Sequence, residues 1–165
     1  MKIIVLLILT GTMAYGQIEV DNGHIVWTTV KQYENSSESL LKQIKSSGKF
    51  STLELIDDTI IGKFTDIPIN FQGTASMYLM TSNMMGSFMI QFKDSRYRIT
   101  AKNLQFKSQT SVGVFDQGSI EPIEQYALNR DGEFRKRIKS KDLPIVEDNL
   151  SKLFEFSGLS QKNDW

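Results

Sequence analysis

The sequence contains no cysteine and a single histidine, His24. Without cysteine the chain has no disulfide, thiolate nucleophile or thiolate metal ligand, and it lacks the lipid-modified cysteine that would anchor an exported protein. With one histidine near the start of the chain, we expect neither a histidine metal cluster nor a Ser-His-Asp triad. An enzyme built from this sequence would have to use carboxylate, lysine or tyrosine side chains, and nothing in the sequence indicates a cofactor.

Long apolar runs are also missing, except at the start of the chain. Met1 and Lys2 form a short positive start, Ile3 to Leu9 are apolar, and Ala14-Tyr15-Gly16 places small residues where a signal peptidase reads them. We therefore expect residues 1–16 to be a secretory signal peptide. No later segment approaches the ~18 apolar residues of a spanning helix, so we expect a periplasmic or secreted protein without a transmembrane segment.

Charge of one sign is not in excess either. The chain has 19 Lys and Arg residues and 19 Asp and Glu residues. Loss of Lys2 with the signal peptide leaves a net charge of about −1, which attracts neither nucleic acid nor an anionic membrane. The remaining residues, 17–165, suffice for one domain with its own core.

Two elements are predicted in the first third of the chain. His24 to Val30 are rich in β-branched and aromatic residues and follow the turn-like Asp21-Asn22-Gly23, which predicts a strand. Asn35 is the expected N-cap of a helix, with Glu38 as its capping-box partner. Gly48 is expected to end this helix in the left-handed conformation.

Two β-hairpins are predicted in the middle of the chain. The first joins residues 53–56 to residues 60–64 through Asp57-Asp58-Thr59, and the second joins residues 88–92 to residues 97–106 through the turn at residues 93–96. Between them, Pro68 is expected to break the ladder. Residues 65–87 are irregular and receive no single assignment, although Met77 to Met80 are compatible with a strand.

The last third is predicted to cross the surface and end in a helix. Residues 108–132 carry glycines and a proline among polar residues, with a short helix near residues 123–128. Asp142 is the expected N-cap of the final helix, whose apolar stripe comprises Leu143, Val146, Leu150, Leu153 and Phe154. The order of strand, helix, four strands and helix predicts an α+β domain of two layers, in which both helices cover one face of a curved antiparallel sheet.

Two stretches carry a resemblance to a known family. Residues 56–63 (Ile-Asp-Asp-Thr-Ile-Ile-Gly-Lys) and residues 92–100 (Phe-Lys-Asp-Ser-Arg-Tyr-Arg-Ile-Thr) resemble two hairpins of a family of small exported Bacteroidetes-type proteins, with Ser95 where that family has glycine. The family is a domain of unknown function, and the resemblance covers about residues 26–156. It implies a TATA-binding-protein-like fold and assigns no catalytic residue.

Five methionines lie close together in the middle of the chain: Met77, Met80, Met84, Met85 and Met89. Outside the cytoplasm thioethers bind Cu(I), and Met77, Met80 and the Met84-Met85 pair are the candidate ligands. Methionine also fills irregular gaps in a core or presents an adaptable apolar surface to a partner protein. Of these three interpretations we prefer core packing, place a surface for a partner protein second, and place Cu(I) binding last.

A basic run spans Arg130 to Lys141 and includes Arg135, Lys136 and Arg137. Such a run binds phosphate or an acidic partner, but most charge runs are solvated faces, which we prefer here. Phe134 and Ile138 lie four residues apart and would dock such a segment while its charges stay in water.

Three aspartates are the candidates for acid–base catalysis or hard-cation binding: Asp57, Asp58 and Asp94. All three lie in predicted turns, where aspartate is common for conformational reasons. Carboxylate-dependent hydrolysis of an envelope polymer is therefore an alternative function, as is copper(I) binding.

Cations and an aromatic residue share the second predicted turn, with Lys93, Arg96 and Arg98 beside Tyr97. They would engage a carboxylate or a sugar, although strand alternation instead sends Tyr97 to the core and both arginines to solvent. Trp27 and Tyr33 are likewise expected in the core or at its rim. The sequence thus favours an exported, non-catalytic domain that binds another envelope component, preferably a protein, through the sheet face or the methionine-rich segment.

Overall fold

A computed structural model of the protein describes residues 16–111 and 116–156. The strands are β1 (Gln17–Asp21), β2 (His24–Gln32), β3 (Phe50–Ile56), β4 (Thr59–Pro68), β5 (Ser82–Lys93), β6 (Arg96–Ser108) and β7 (Ile120–Pro122). The helices are α1 (Ser37–Ser46), α2 (Met77–Met80), α3 (Ile123–Ala127) and α4 (Leu143–Leu153), and a π-helical turn (Ile138–Asp142) leads into α4.

The strands form one antiparallel sheet in the order β1-β2-β6-β5-β4-β3, and β7 pairs with the C-terminal part of β6. The predicted order of strand, helix, four strands and helix is confirmed as β2-α1-β3-β4-β5-β6-α4, and the α+β class is confirmed with it. β1, β7 and α2 are additions to this order, and α3 is the short helix predicted near residues 123–128. None of the helices within the described ranges is long and apolar enough to cross a membrane.

Some predictions concern residues that the structure does not describe. The described ranges leave out residues 1–15, which form most of the predicted signal peptide, residues 112–115, and the residues after Phe156. β1 begins at Gln17, immediately after the expected cleavage position.

Both predicted hairpins are confirmed, and their turns are built in the same way. Asp57 and Asp58 have φ angles of 45° and 57°, and Asp94 and Ser95 have φ angles of 49° and 56°. Two consecutive positive φ angles are those of a type I′ turn, whose twist matches that of the flanking strands. Aspartate tolerates this conformation better than most side chains, which explains the acidic turns.

Bulges bend the sheet in three of its strands. The register shifts beside Thr52 in β3, Asp66 in β4 and Asn103 in β6, and each of these residues has a φ angle of 53° or 54°. A bulge bends its strand and increases the local twist. The sheet is therefore curved, as predicted.

The core lies between the sheet and the helices. Alternate residues of β2, β4, β5 and β6 point to this inner face, and α1 and α4 contribute Leu40, Ile44, Val146, Leu150 and Leu153 to the same cluster. Phe154, directly after α4, is fully buried at the centre of an aromatic cluster that includes Trp27, Phe50, Phe64 and Phe88. Trp27 and Tyr33 are buried, as predicted.

Polar side chains attach α4 to distant parts of the chain. Glu147 Oε1 accepts the backbone N–H of Ile18 in β1 at 2.8 Å. Asn149 accepts the N–H of Asn70 at 2.8 Å and donates to the carbonyl of the same residue at 2.7 Å. Lys31 Nζ donates to the carbonyl of Phe154 at 3.0 Å, and burial lowers the pKa of Lys31.

The start of α1 differs by one residue from the prediction. Ser36, not Asn35, is the N-cap, and its hydroxyl accepts the N–H of Ser39 at 3.3 Å. Glu38 therefore occupies the second helical position, so the predicted capping box is wrong. Gly48 follows the helix with a φ angle of 66°, as predicted.

Three further positions refine the local predictions. Met77 to Met80, which the sequence left without a single assignment, form the short helix α2, capped by Ser76. Asp142 occupies the predicted N-cap position of α4, but its side chain makes no capping bond there. Pro68 ends β4 and is paired with Asn83, so it marks the end of the ladder rather than a break within it.

Candidate binding surface

The sheet has a second face, which points away from the helices and is called the open face here. One row of paired residues crosses it from β2 to β3: Thr28, Thr100, Met89, Ile61 and Glu54. Ile61 is 41% exposed, and Met89 is partly exposed. The centre of the open face is therefore apolar and accessible.

Basic rows lie on both sides of this centre. On one side, Ser87 is paired with Lys63 of β4 and with Lys102 of β6. On the other side, Arg98 is paired with Val30 and Gln91. The three cations are exposed. The open face is thus an apolar strip between positively charged rows.

A cleft of about 470 Å³ opens where β2, β5 and β6 end, and we call it the cation cleft. Its lining residues are Val30, Gln91, Phe92, Lys93, Arg96, Tyr97 and Arg98. Tyr97 is buried while Arg96 and Arg98 are exposed, which confirms the alternation expected for this turn. Burial raises the pKa of the Tyr97 hydroxyl, with the nearby Tyr33 as a lesser cause.

A second cleft of about 400 Å³ lies between the start of α1 and the two hairpin turns. Asp58 and Asp94 both line it, so the sheet brings together aspartates that are distant in the sequence. Asp58 Oδ1 accepts a hydrogen bond of 2.8 Å from the Ser37 hydroxyl. The positive φ angles of the turns explain these aspartates without catalysis, and no group of three metal-binding His, Asp or Glu side chains occurs in the described ranges.

The methionines are distributed over three environments. Met77 and Met80 are 57% and 50% exposed on α2, Met84 is fully buried, and Met85 and Met89 are partly exposed on the open face. Met84 and Met85 are neighbours in a strand and point to opposite faces, so the pair does not face one common site. The open-face methionines belong to the apolar surface described above.

The basic run is attached to the rest of the domain at the end of α3. Arg135 Nε donates to the carbonyl of Leu128 at 2.9 Å, which attaches the run to the end of α3. Ile138 is buried and Phe134 is partly buried, so both dock as the spacing predicts. Arg135, Lys136 and Arg137 are exposed, in agreement with a solvated face.

A polar network that no sequence pattern predicts lies beneath the π-helical turn. Asp142 is buried, and its carboxylate accepts hydrogen bonds from the Tyr126 hydroxyl and, at 3.3 Å, from the N–H of Ser76. Burial and the bond to Asp142 raise the pKa of Tyr126 to about 12. Tyr126 also stacks on Tyr78 with ring centroids 4.2 Å apart. The only signal of this network in the sequence is an acid, Asp142, at a predicted helix start, where aspartate is also typical of a helix cap.

Comparisons with known proteins concern the fold. No family model matches the chain, and no curated protein sequence matches it. Among solved structures, a TBP-like protein from Parabacteroides distasonis ATCC 8503 is similar, with a TM-score of 0.53 and 16% identity over 87% of this chain and 98% of that one. A DUF4468 family protein from Bacteroides ovatus ATCC 8483 aligns with a TM-score of 0.49 and 12% identity over 89% of this chain and 94% of that one. At the identity of the first match the likeness concerns fold alone, and the chain is an α+β domain with a TBP-like fold.

Proposed function

We propose that the protein is an exported, non-catalytic domain that binds a protein of the cell envelope through the open face of its sheet. The observation that carries this proposal is the apolar strip of Ile61 and Met89 between basic rows, on a face turned away from the described helices. An accessible apolar surface bordered by charge is typical of a protein interface.

The charges of the open face indicate the chemistry of the partner. Lys63 and Lys102 lie on either side of Ser87 and are exposed. None of the ion pairs within the described ranges includes either lysine. A partner with an apolar centre and an acidic rim complements this arrangement, and such complementarity determines specificity and association rate. Met89 adds a flexible side chain that adapts to the partner surface.

Export is supported by the pattern of residues 1–16. Cleavage after Gly16 would leave every strand of the sheet intact, because β1 begins at Gln17. The non-catalytic part of the proposal is supported by composition, since the chain has no thiol and its single histidine is exposed in the first part of the sheet.

Site-specific photo-crosslinking tests the binding surface. A photoreactive residue at Met89 is expected to form one discrete crosslinked species in envelope extract, and Ile61→Glu in the same chain is expected to abolish it. A photoreactive residue at Lys42, exposed on α1, is the matched control and should give no such species. Equal crosslinking from both positions, or crosslinking unaffected by Ile61→Glu in a folded variant, would contradict the proposed surface.

N-terminal sequencing of the protein recovered from a periplasmic or culture fraction tests export separately. The expected first residue is Gln17. Recovery in the cytoplasm with Met1 retained would reject export, whatever the crosslinking result.

A further inference from the structure

The cation cleft is lined by three like charges, those of Lys93, Arg96 and Arg98. Arg96 is paired across the sheet with Lys93 on one side and with Gln32 on the other. Arg98 lies two residues along the same strand, and the lining of the cleft contains no acidic side chain. Like charges at directly opposite strand positions are destabilising. The hairpin thus holds Lys93 and Arg96 together in spite of their repulsion.

Within the described residues, none of these three cations takes part in an ion pair, because the ion pairs there involve His24, Lys107 and Lys152. Lys93 and Arg96 also line the second cleft, where Glu34, Glu38, Asp58 and Asp94 lie, but no ion pair joins either cation to these carboxylates. An anion placed in the cation cleft would replace repulsion by charge-assisted hydrogen bonds.

One guanidinium is already oriented for such a ligand. Arg98 Nη2 donates to Gln91 Oε1 at 2.8 Å, across the pair of strands. A guanidinium has five N–H donors, so the others are available to an oxyanion. Orientation by Gln91 reduces the conformational entropy that Arg98 loses on binding.

The cleft also has an apolar wall. Val30, which is 39% exposed, lines it beside the cations. Its volume of about 470 Å³ lies within the range typical of small-molecule sites. A bare ion would leave much of this space unfilled.

We propose that the cation cleft binds a compact anionic ligand that carries two or more phosphate or carboxylate charges on an apolar or ring-shaped body. Lys93, Arg96 and Arg98 contact its oxyanions, and Val30 contacts its body. This site lies at one end of the open face and shares Val30, Gln91 and Arg98 with it, but its ligand is distinct from the envelope partner proposed above.

Titration followed by amide chemical shifts tests the site. The mature chain is titrated separately with pyrophosphate, with citrate and with neutral glucose, all at matched ionic strength. Pyrophosphate or citrate is expected to produce saturable shifts confined to residues 30, 91–93 and 96–98, and glucose to produce none. A response to only one of the anions identifies the ligand chemistry as phosphate or carboxylate.

Two variants provide the matched comparison. Arg98→Gln is expected to weaken binding about tenfold or more, since a charged hydrogen bond is lost. Lys139→Gln removes an exposed cation on the π-helical turn and should leave the affinity unchanged. Circular dichroism and Tm establish that both variants fold. The proposal is overturned if neither anion gives saturable shifts, if the shifts lie outside the cleft, or if folded Arg98→Gln binds as tightly as the unmodified chain.

Discussion

The indole of Trp27 stacks on the ring of Phe154, with centroids 5.5 Å apart and ring planes inclined by 17°. Trp27 belongs to β2, and Phe154 follows α4, so this contact joins the sheet to the last described segment of the chain. Phe154 also meets Phe88 edge to face at 5.1 Å. The last helix is therefore fixed to the sheet by an aromatic side chain just beyond its end.

Phe154→Ala is expected to lower the free energy of unfolding by about 3–5 kcal/mol, because it removes a buried ring from the centre of the core. Urea unfolding followed by circular dichroism measures the change. Phe71→Ala, at a side chain that is 37% exposed, is the control and should have a much smaller effect. Similar losses in the two variants would contradict the central position of Phe154.

Gly62→Ala is expected to destabilise the protein by about 1–3 kcal/mol through overpacking. A Cβ atom at Gly62 would lie 2.6 Å from Cζ of Phe88 and 2.7 Å from Cδ2 of Leu53. Replacement of Phe88 by leucine in the same chain should recover part of the loss, as double-mutant unfolding would show. Lys63→Ala, on the open face of the same strand, serves as the control. Strictly additive effects of the two core substitutions would refute the clash.

Asn149→Ala is expected to cost about 1–3 kcal/mol, because it leaves the N–H and carbonyl of Asn70 without their bonds to α4. Amide hydrogen exchange should show faster exchange at Asn70 before any global change. Asp148→Ala is the neighbouring control, since Asp148 forms only an exposed ion pair with Lys152. Unchanged protection of Asn70 in Asn149→Ala would count against this attachment.

Stability is expected to fall as pH rises above 10, the ordinary pKa of tyrosine. The fold raises the pKa of Tyr126 from 10.0 to about 12, and burial raises those of Tyr78 and Tyr97 as well. The unfolded chain loses these protons first, so the contribution of Tyr126 is complete below pH 10 and is lost between about pH 10 and pH 12. The urea concentration at the unfolding midpoint should fall less steeply with pH over this range in Tyr126→Phe than in the unmodified chain. Equal slopes would show that Tyr126 does not contribute.

Several local predictions succeeded because their causes are local. The Asp57-Asp58 turn and the helix end at Gly48 depend on the positive φ angles that these residues tolerate. Ser95 also adopts a positive φ angle in its turn, at the position where the family that the sequence resembles has glycine. The stripe of Leu143, Val146, Leu150 and Leu153 follows from helical periodicity, and all four are buried.

The structure departs from the sequence predictions where a side chain or a segment contacts residues that are distant in the sequence. Asp142 resembles a helix cap in the sequence, but its carboxylate is taken by Tyr126 and Ser76. Met77 to Met80 form a helix in which Tyr78 packs on Tyr126, a contact that no local pattern contains. The cation cleft was missed as a cavity because strand register, not spacing, places Val30 beside Arg98.

The sequence by itself determined the order of the main strands and helices, both hairpin turns, the apolar stripe of the last helix and the chemistry that the chain lacks. These depend on conformational preference and periodicity within a few residues. Only the tertiary structure decided which face of the sheet stays open, which cations lie together without forming an ion pair, and which polar groups are buried together. Those relationships arise from the pairing of strands and the packing of helices across long sequence separations, where many side chains compete for the same space.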